Sequence, residues 1–203
     1  MIELKTTDDI IAFQKAHGLK PDGIIGPITS ASLAMANSSI PLTPASALQW
    51  PHDDTESKNA FYGDFHSGGW QALNLVHTFA PFNMYYDKQL LTHGILVHKK
   101  IVPALTAVFN EIWTKCNNDQ DTVDKTGASD FGGCFNIRNI AGSNNWSNHS
   151  WACALDLSPA TNGFNMAGTL SNIVIDAFKR QGARWGGDYH GRKDPMHFEF
   201  VSS

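Results

Sequence analysis

Two short segments carry residues whose types and spacing could do chemistry. The first, Ser147-Asn148-His149-Ser150-Trp151-Ala152-Cys153-Ala154-Leu155-Asp156, sets a His and an Asp seven residues apart. The second is Asp194-Pro195-Met196-His197-Phe198-Glu199. Catalytic zinc typically takes three protein ligands and leaves a position for water. His149, Asp156 and His197 would supply two nitrogens and one oxygen, a donor set suited to zinc. Asp194, three residues before His197, could reach a water at such a centre rather than the ion. The alternative is a plain hydrogen-bonded His–Asp pair. The apolar run Ala154-Leu155-Asp156-Leu157 weighs against it, because a buried carboxylate is costly unless paired or metal-bound. His197 and Glu199 stand two apart in the alternating run MHFEF and so share one face of a strand. On pattern alone, both readings stay open.

These residues need elements to position them. The strongest helix signal is residues 98–115, with Ile101, Leu105, Val108 and Ile112 on one stripe and Pro103 in the first turn. A polar loop is expected over 117–130, and a strand over 134–137 that leads into the Gly- and Asn-rich loop 141–148. A short strand is expected at 152–157, an amphipathic helix at 170–181 ending at Gly182, and a last strand at 196–201. Helices and strands mix without a regular βαβ rhythm, which predicts an α+β domain. Upstream, residues 7–18 read as a short amphipathic helix stopped by Gly18. The turn Lys20-Pro21-Asp22-Gly23 and a second short helix over 28–35 follow. The Ser-, Pro-, Thr- and Ala-rich residues 38–47 read as a linker. The expected organisation is a small helical module (1–37), the linker (38–47) and a larger domain (48–203).

Composition narrows the classes. The chain has 203 residues, 42% hydrophobic and 17% charged, which fits a folded globular protein. A formal charge of -4 gives no electrostatic footprint for nucleic acid. Three cysteines (Cys116, Cys134 and Cys153) without a CxxC make neither a disulfide framework nor a zinc knuckle. They are expected to be reduced and packed. No basic-then-apolar leader and no span-length apolar run is visible. The expectation is synthesis in the host cytoplasm without a signal peptide and no membrane insertion. A monomer is expected.

The two segments resemble the M15 peptidase family, whose pattern is SxHxxGxAxD followed by a carboxylate three residues before a final His. Here they stand as SNHSWACALD and DPMHFE. Gly132-Gly133-Cys134-Phe135-Asn136-Ile137-Arg138, the run from Asp156 to Asn162, Arg184-Trp185-Gly186-Gly187-Asp188 and Phe61-Tyr62-Gly63 resemble its phage-endolysin branch. The resemblance covers residues 48–203. It implies a Hedgehog/D,D-peptidase-like α+β fold with one catalytic Zn2+ held by His149, Asp156 and His197. It also implies Asp194 as general base and Arg138 as anchor of a substrate carbonyl or oxyanion. Glu199 is a rival base, but the family pattern favours Asp194. Ala152 stands where the pattern has Gly, which predicts a backbone that avoids positive φ. Cys153 is read as packing. Trp151 and Trp185 flank the site in sequence and are candidates for a substrate groove, with core packing as the alternative. His98 is expected to be structural. His17, His52, His66, His77, His93 and His190 lack a partner at ligand spacing.

The N-terminal run Phe13-Gln14 through Asp22-Gly23 and Gly26-Pro27 to Thr29 resembles the second half of a peptidoglycan-binding module. The expected partner is therefore peptidoglycan, and the expected function a bacteriolytic hydrolase. The endolysin branch implies cleavage of the L-Ala–D-Glu bond of the stem peptide. The alternatives are a D,D-carboxypeptidase or endopeptidase acting at D-Ala, and a non-catalytic wall-binding protein with a structural zinc.

Overall fold

A computed structural model describes residues 2–16, 21–26, 29–30, 32–33 and 49–203. The expected linker 38–47, the helix stop at Gly18 and half of the helix expected over 28–35 lie outside the described residues.

Helix α1 (Thr7–Ala16) opens on Asp8 and Asp9, which favour a helix N-terminus. Its Gln14 is buried and ties the following turn together. The side-chain amide donates to Asp22 Oδ1 (2.9 Å), Ile24 O (2.9 Å) and Thr29 Oγ1 (3.1 Å), and its oxygen accepts from Gly23 N (2.9 Å). Gly23 has φ +71, and a Cβ there would meet Thr7 Cγ2 at 2.6 Å. A turn this close to the helix therefore needs glycine.

In the larger domain, α2 (Thr55–Tyr62) and α3 (Trp70–Asn74) precede an antiparallel pair, β1 (Leu75–Thr78) with β4 (Ile95–His98). A small hairpin, β2 (Tyr85–Tyr86) and β3 (Gln89–Leu90), lies between them in sequence. After a 3-10 turn at Lys99–Ile101 comes α4 (Val102–Lys115), with Pro103 in its first turn as expected. Its apolar stripe, including Leu105, Val108, Phe109 and Ile112, is fully buried.

The expected loop 117–130 instead contains α5 (Gln120–Thr126). Asp119 caps it by accepting from Thr122 N at 2.8 Å, and Gly127 ends it in the left-handed region at φ +84. Both cap residues suit these places, but seven residues are too short for a periodicity to show. The strand expected at 134–137 is displaced to β5 (Phe131–Gly133). Residues 136–138 instead bond to the turn that carries His149. Asn136 N donates to His149 O (3.1 Å) and Ser147 N donates to Arg138 O (3.0 Å).

The remaining elements are β6 (Ala154–Leu157), α6 (Asn172–Arg180), β7 (Arg184–Trp185) and β8 (His197–Glu199). They form a four-stranded antiparallel sheet in the order β5-β6-β8-β7. The mixed helix-and-sheet architecture is the expected α+β one. The face carrying Leu155, Leu157 and Phe198 packs on helices. Phe178 of α6 stacks on Phe198 with ring centroids 4.1 Å apart. Burying such aromatic pairs is what holds the helices to the sheet. The opposite face carries Asp156, His197 and Glu199, since alternate strand residues point the same way. All three cysteines are free and buried, as expected. No described helix is long and apolar enough to cross a membrane.

Candidate metal centre and active site

Strand register brings the first two donors together. Asp156 and His197 are direct partners across β6 and β8. Their Oδ1 and Nδ1 lie 2.9 Å apart. The third donor arrives on the 3-10 turn Asn148–Trp151, which leads into β6. Ser147 starts that turn with its Oγ accepting from His149 N, as an N-cap does. Ala152 ends it at φ 51, ψ 32, in the left-handed region. This overturns the expectation that Ala152 avoids positive φ. The turn needs that conformation to reverse into β6, and Ala152 N donates back to His149 O at 3.0 Å. The alanine carries the cost that glycine would avoid, about 1 kcal/mol.

His149 Nδ1–H donates to Cys134 O at 2.6 Å, which leaves its Nε2 lone pair facing inward. That Nε2 lies 3.2 Å from His197 Nδ1 and 3.3 Å from Asp156 Oδ2. Two ligands at zinc–nitrogen distances of about 2.0–2.1 Å in tetrahedral array stand roughly 3.3 Å apart. The donor types and their separations both fit such an ion. All three side chains are buried, with donor atoms within 4.8 Å of one another.

Electrostatics point the same way. Burial pushes the Asp156 carboxyl up, but hydrogen bonds and charge from His149 and His197 outweigh it and hold it well below its usual range. Burial lowers the proton affinity of His197. Its bonds to Asp156 and Glu199 outweigh that and raise it to about 10. The carboxylates that hold a proton on His197 would serve a divalent cation instead only once that proton leaves the ring.

Asp194 is buried beside this group, with its carboxyl raised by desolvation. Its Oδ1 has no hydrogen-bond partner among the described residues. A buried polar atom left unpaired is rare in a folded protein and asks for a partner from outside the chain. The backbone holds Asp194 in place: Asp194 N donates to Gly186 O (3.0 Å) and His197 N to Asp194 O (3.0 Å). A Cβ at position 186 would lie 2.3 Å from Asp194 O, so only glycine lets the two segments approach.

Comparison with known families falls on these residues. Residues 141–200 match the family described as D-alanyl-D-alanine carboxypeptidase. Residues 3–33 match a peptidoglycan binding domain. The chain matches an M15 peptidase with a peptidoglycan-binding module. Together the two matches support a cell-wall peptidase. No curated protein and no solved structure matches the chain.

Arg138 lies just before the matched segment. Its backbone is fastened to the His149 turn through Ser150 Oγ, which accepts from Arg138 N (3.2 Å) and donates to Arg138 O (3.1 Å). Its side chain is exposed and forms no ion pair among the described residues; NH1 reaches only Asn139 O at 3.5 Å. Trp151 takes the core-packing alternative that the sequence left open. It is fully buried, donates Nε1–H to Asn59 Oδ1 (2.9 Å) and packs edge-on against Phe65, so it lines no groove. Trp185 pairs with Phe198 across β7 and β8, on the face away from His197, where Lys179 of α6 lies over its ring. It is only half-buried, and its Nε1–H donates to Pro195 O at 2.7 Å, beside Asp194. Cys153 is fully buried and donates its thiol to Asn148 O (3.3 Å), a packing role as expected. His98 is structural as expected: Nε2–H donates to Tyr62 O (2.9 Å) and Nδ1 accepts from Lys100 N (3.1 Å).

Sequence reasoning named Glu199 only as a rival base and missed the partners that surround it behind His197. Glu199 Oε2 lies 3.3 Å from His197 Nε2 and accepts from Asn148 Nδ2 at 2.6 Å. Glu199 Oε1 accepts from Tyr189 Oη at 2.6 Å and pairs with Arg184 Nε at 3.3 Å. Glu199 thus meets the opposite edge of the ring from Asp156. The signal was its place two residues after His197 in an alternating strand.

Proposed function

We propose that the protein is a zinc-dependent peptidase that hydrolyses the stem peptide of peptidoglycan, at the L-Ala–D-Glu bond, as a phage-type endolysin does. One observation carries the reading: two imidazole nitrogens and a carboxylate converge at 2.9–3.3 Å beside the unpaired, buried Oδ1 of Asp194. His149, Asp156 and His197 would hold the ion. When bound, zinc would acidify water and polarise a scissile carbonyl. Asp194, raised by burial, takes a proton from the attacking water and returns it to the leaving amine. Arg138, always charged, holds a substrate carbonyl or carboxylate. The unpaired Asp194 oxygen favours a catalytic over a purely structural zinc, because a structural site needs no such group. The choice of bond rests on the resemblance of Gly132–Arg138 and Asp156–Asn162 to the endolysin branch. Wall access after synthesis in the cytoplasm, through a membrane opened by another factor, belongs to the same reading.

A second reading has a specific observation behind it. The family matched over residues 141–200 is described by carboxypeptidase action at D-Ala. Mass spectrometry of digested peptidoglycan separates the two. New amino termini on D-Glu support the endopeptidase, and loss of terminal D-Ala alone supports the carboxypeptidase.

A further inference from the structure

His197 has two edges, and the fold equips both. Nδ1 faces Asp156 and His149, while Nε2 faces Glu199. Glu199 is buried at 3% exposure. A carboxylate there is costly unless donors surround it. Four groups do: His197 Nε2, Asn148 Nδ2, Tyr189 Oη and Arg184 Nε. An apolar side chain could fill this space without any of these donors, so packing alone does not account for the carboxylate.

Asn148 extends the arrangement. Its Nδ2 donates to Glu199 and to Asp53 Oδ1 (3.1 Å), and its Oδ1 accepts from buried Lys58 Nζ at 2.7 Å. Asn148 is the residue before His149, on the 3-10 turn, whereas Glu199 shares β8 with His197. One amide–carboxylate bond therefore braces the two histidine-bearing elements against each other.

We propose that Glu199, braced by Asn148, is a positioning residue that holds the His197 ring with Nδ1 turned to the centre and so sets how tightly the His149, Asp156 and His197 group binds its metal. The proposal rests on the metal-centre reading above. A carboxylate behind a ligating imidazole fixes ring orientation and raises its basicity, and loss of such a partner typically lowers metal affinity about 10–100-fold. Glu199 touches no reacting atom, because both its oxygens are engaged by the protein. This separates its role from that of Asp194.

The test uses the full chain. Zinc affinity is measured by competition with a chromogenic chelator for wild type, Glu199→Ala, Glu199→Gln and Asn148→Ala. The wild type is also loaded with cadmium-113 after nitrogen-15 labelling of its histidines. Glu199→Ala should bind zinc about 10–100-fold more weakly. Glu199→Gln should retain most of the affinity, since its amide oxygen can accept from Nε2–H. Asn148→Ala should fall between them. Cadmium should couple to Nδ1 of His197 and Nε2 of His149, with the His197 Nε2 proton in slow exchange. A folded Glu199→Ala that binds zinc as wild type does would overturn the proposal. So would cadmium coupling to Nε2 of His197, a result that needs no variant to fold. If the wild type binds neither ion, the metal-centre reading itself fails. If it binds both and Glu199→Ala matches it, only the positioning role fails.

Discussion

Asp156 on β6 and His197 on β8 face each other across the strand pair, with Oδ1 and Nδ1 2.9 Å apart. The spacing of two proposed metal donors is therefore a property of sheet register. A one-residue slip of β8 would turn His197 to the helix-packed face while Asp156 stayed where it is. Leu155↔Phe198, their neighbours on that face, are fully buried and make such a slip costly.

Asp194→Asn should leave zinc content unchanged and lower kcat about 10²–10⁴-fold, the usual loss of a general base. Steady-state kinetics on purified peptidoglycan, paired with metal analysis of the same sample, checks this. Wild-type turnover would move the proton transfer to another group.

Gly186→Ala probes the same carboxylate from a distance. The added Cβ would meet Asp194 O at 2.3 Å and push that segment away. Zinc should stay bound while kcat falls. A variant as active as wild type would show that the position of Asp194 tolerates the shift.

Trp151→Ala should act on stability, not on substrate affinity. Removing a fully buried indole typically costs about 3–5 kcal/mol. Denaturant unfolding reads the loss. A stable variant with only a raised KM would restore Trp151 to a groove.

Ala152→Gly should be close to neutral. Relief of the left-handed conformation is worth about 1 kcal/mol. Loss of a buried methyl costs about 0.8 kcal/mol. A thermal melt that shifts by many degrees in either direction would show that one of these effects is absent.

His98 predicts a pH dependence of stability. Burial, aided by Lys100 and Lys99, outweighs the hydrogen bond to Tyr62 O and lowers its pKa to about 4 in the folded protein. The unfolded value is about 6.5, so the unfolded chain takes up the proton first. The stability His98 contributes is present above about pH 6.5 and is lost as pH falls towards about 4. Tm against pH should fall more steeply for wild type than for His98→Gln across that window. Equal slopes would contradict it.

The sequence made much of this site legible because its donors sit in short, strongly patterned strands. Asp156 inside an apolar run and His197 two residues before Glu199 already imply one buried polar face. The parts that stayed hidden depend on tertiary partners. The short helix α5 had cap residues but no period. The segment after β5 bonded to the His149 turn instead of extending the strand. Trp151 lies next to a donor in sequence, yet its ring points into the core. Asp53, Lys58, Asn148 and Tyr189 reach Glu199 or one another across up to 95 residues of separation, which no local pattern records.

The measurement that tests the account most directly is the metal content of the purified protein, compared with that of a His149→Ala and His197→Ala double variant. The account predicts about one zinc per wild-type chain and almost none in the variant. Chelation of the wild type should abolish peptidoglycan cleavage. A wild-type protein that carries no metal and still cleaves peptidoglycan after exhaustive chelation would contradict it.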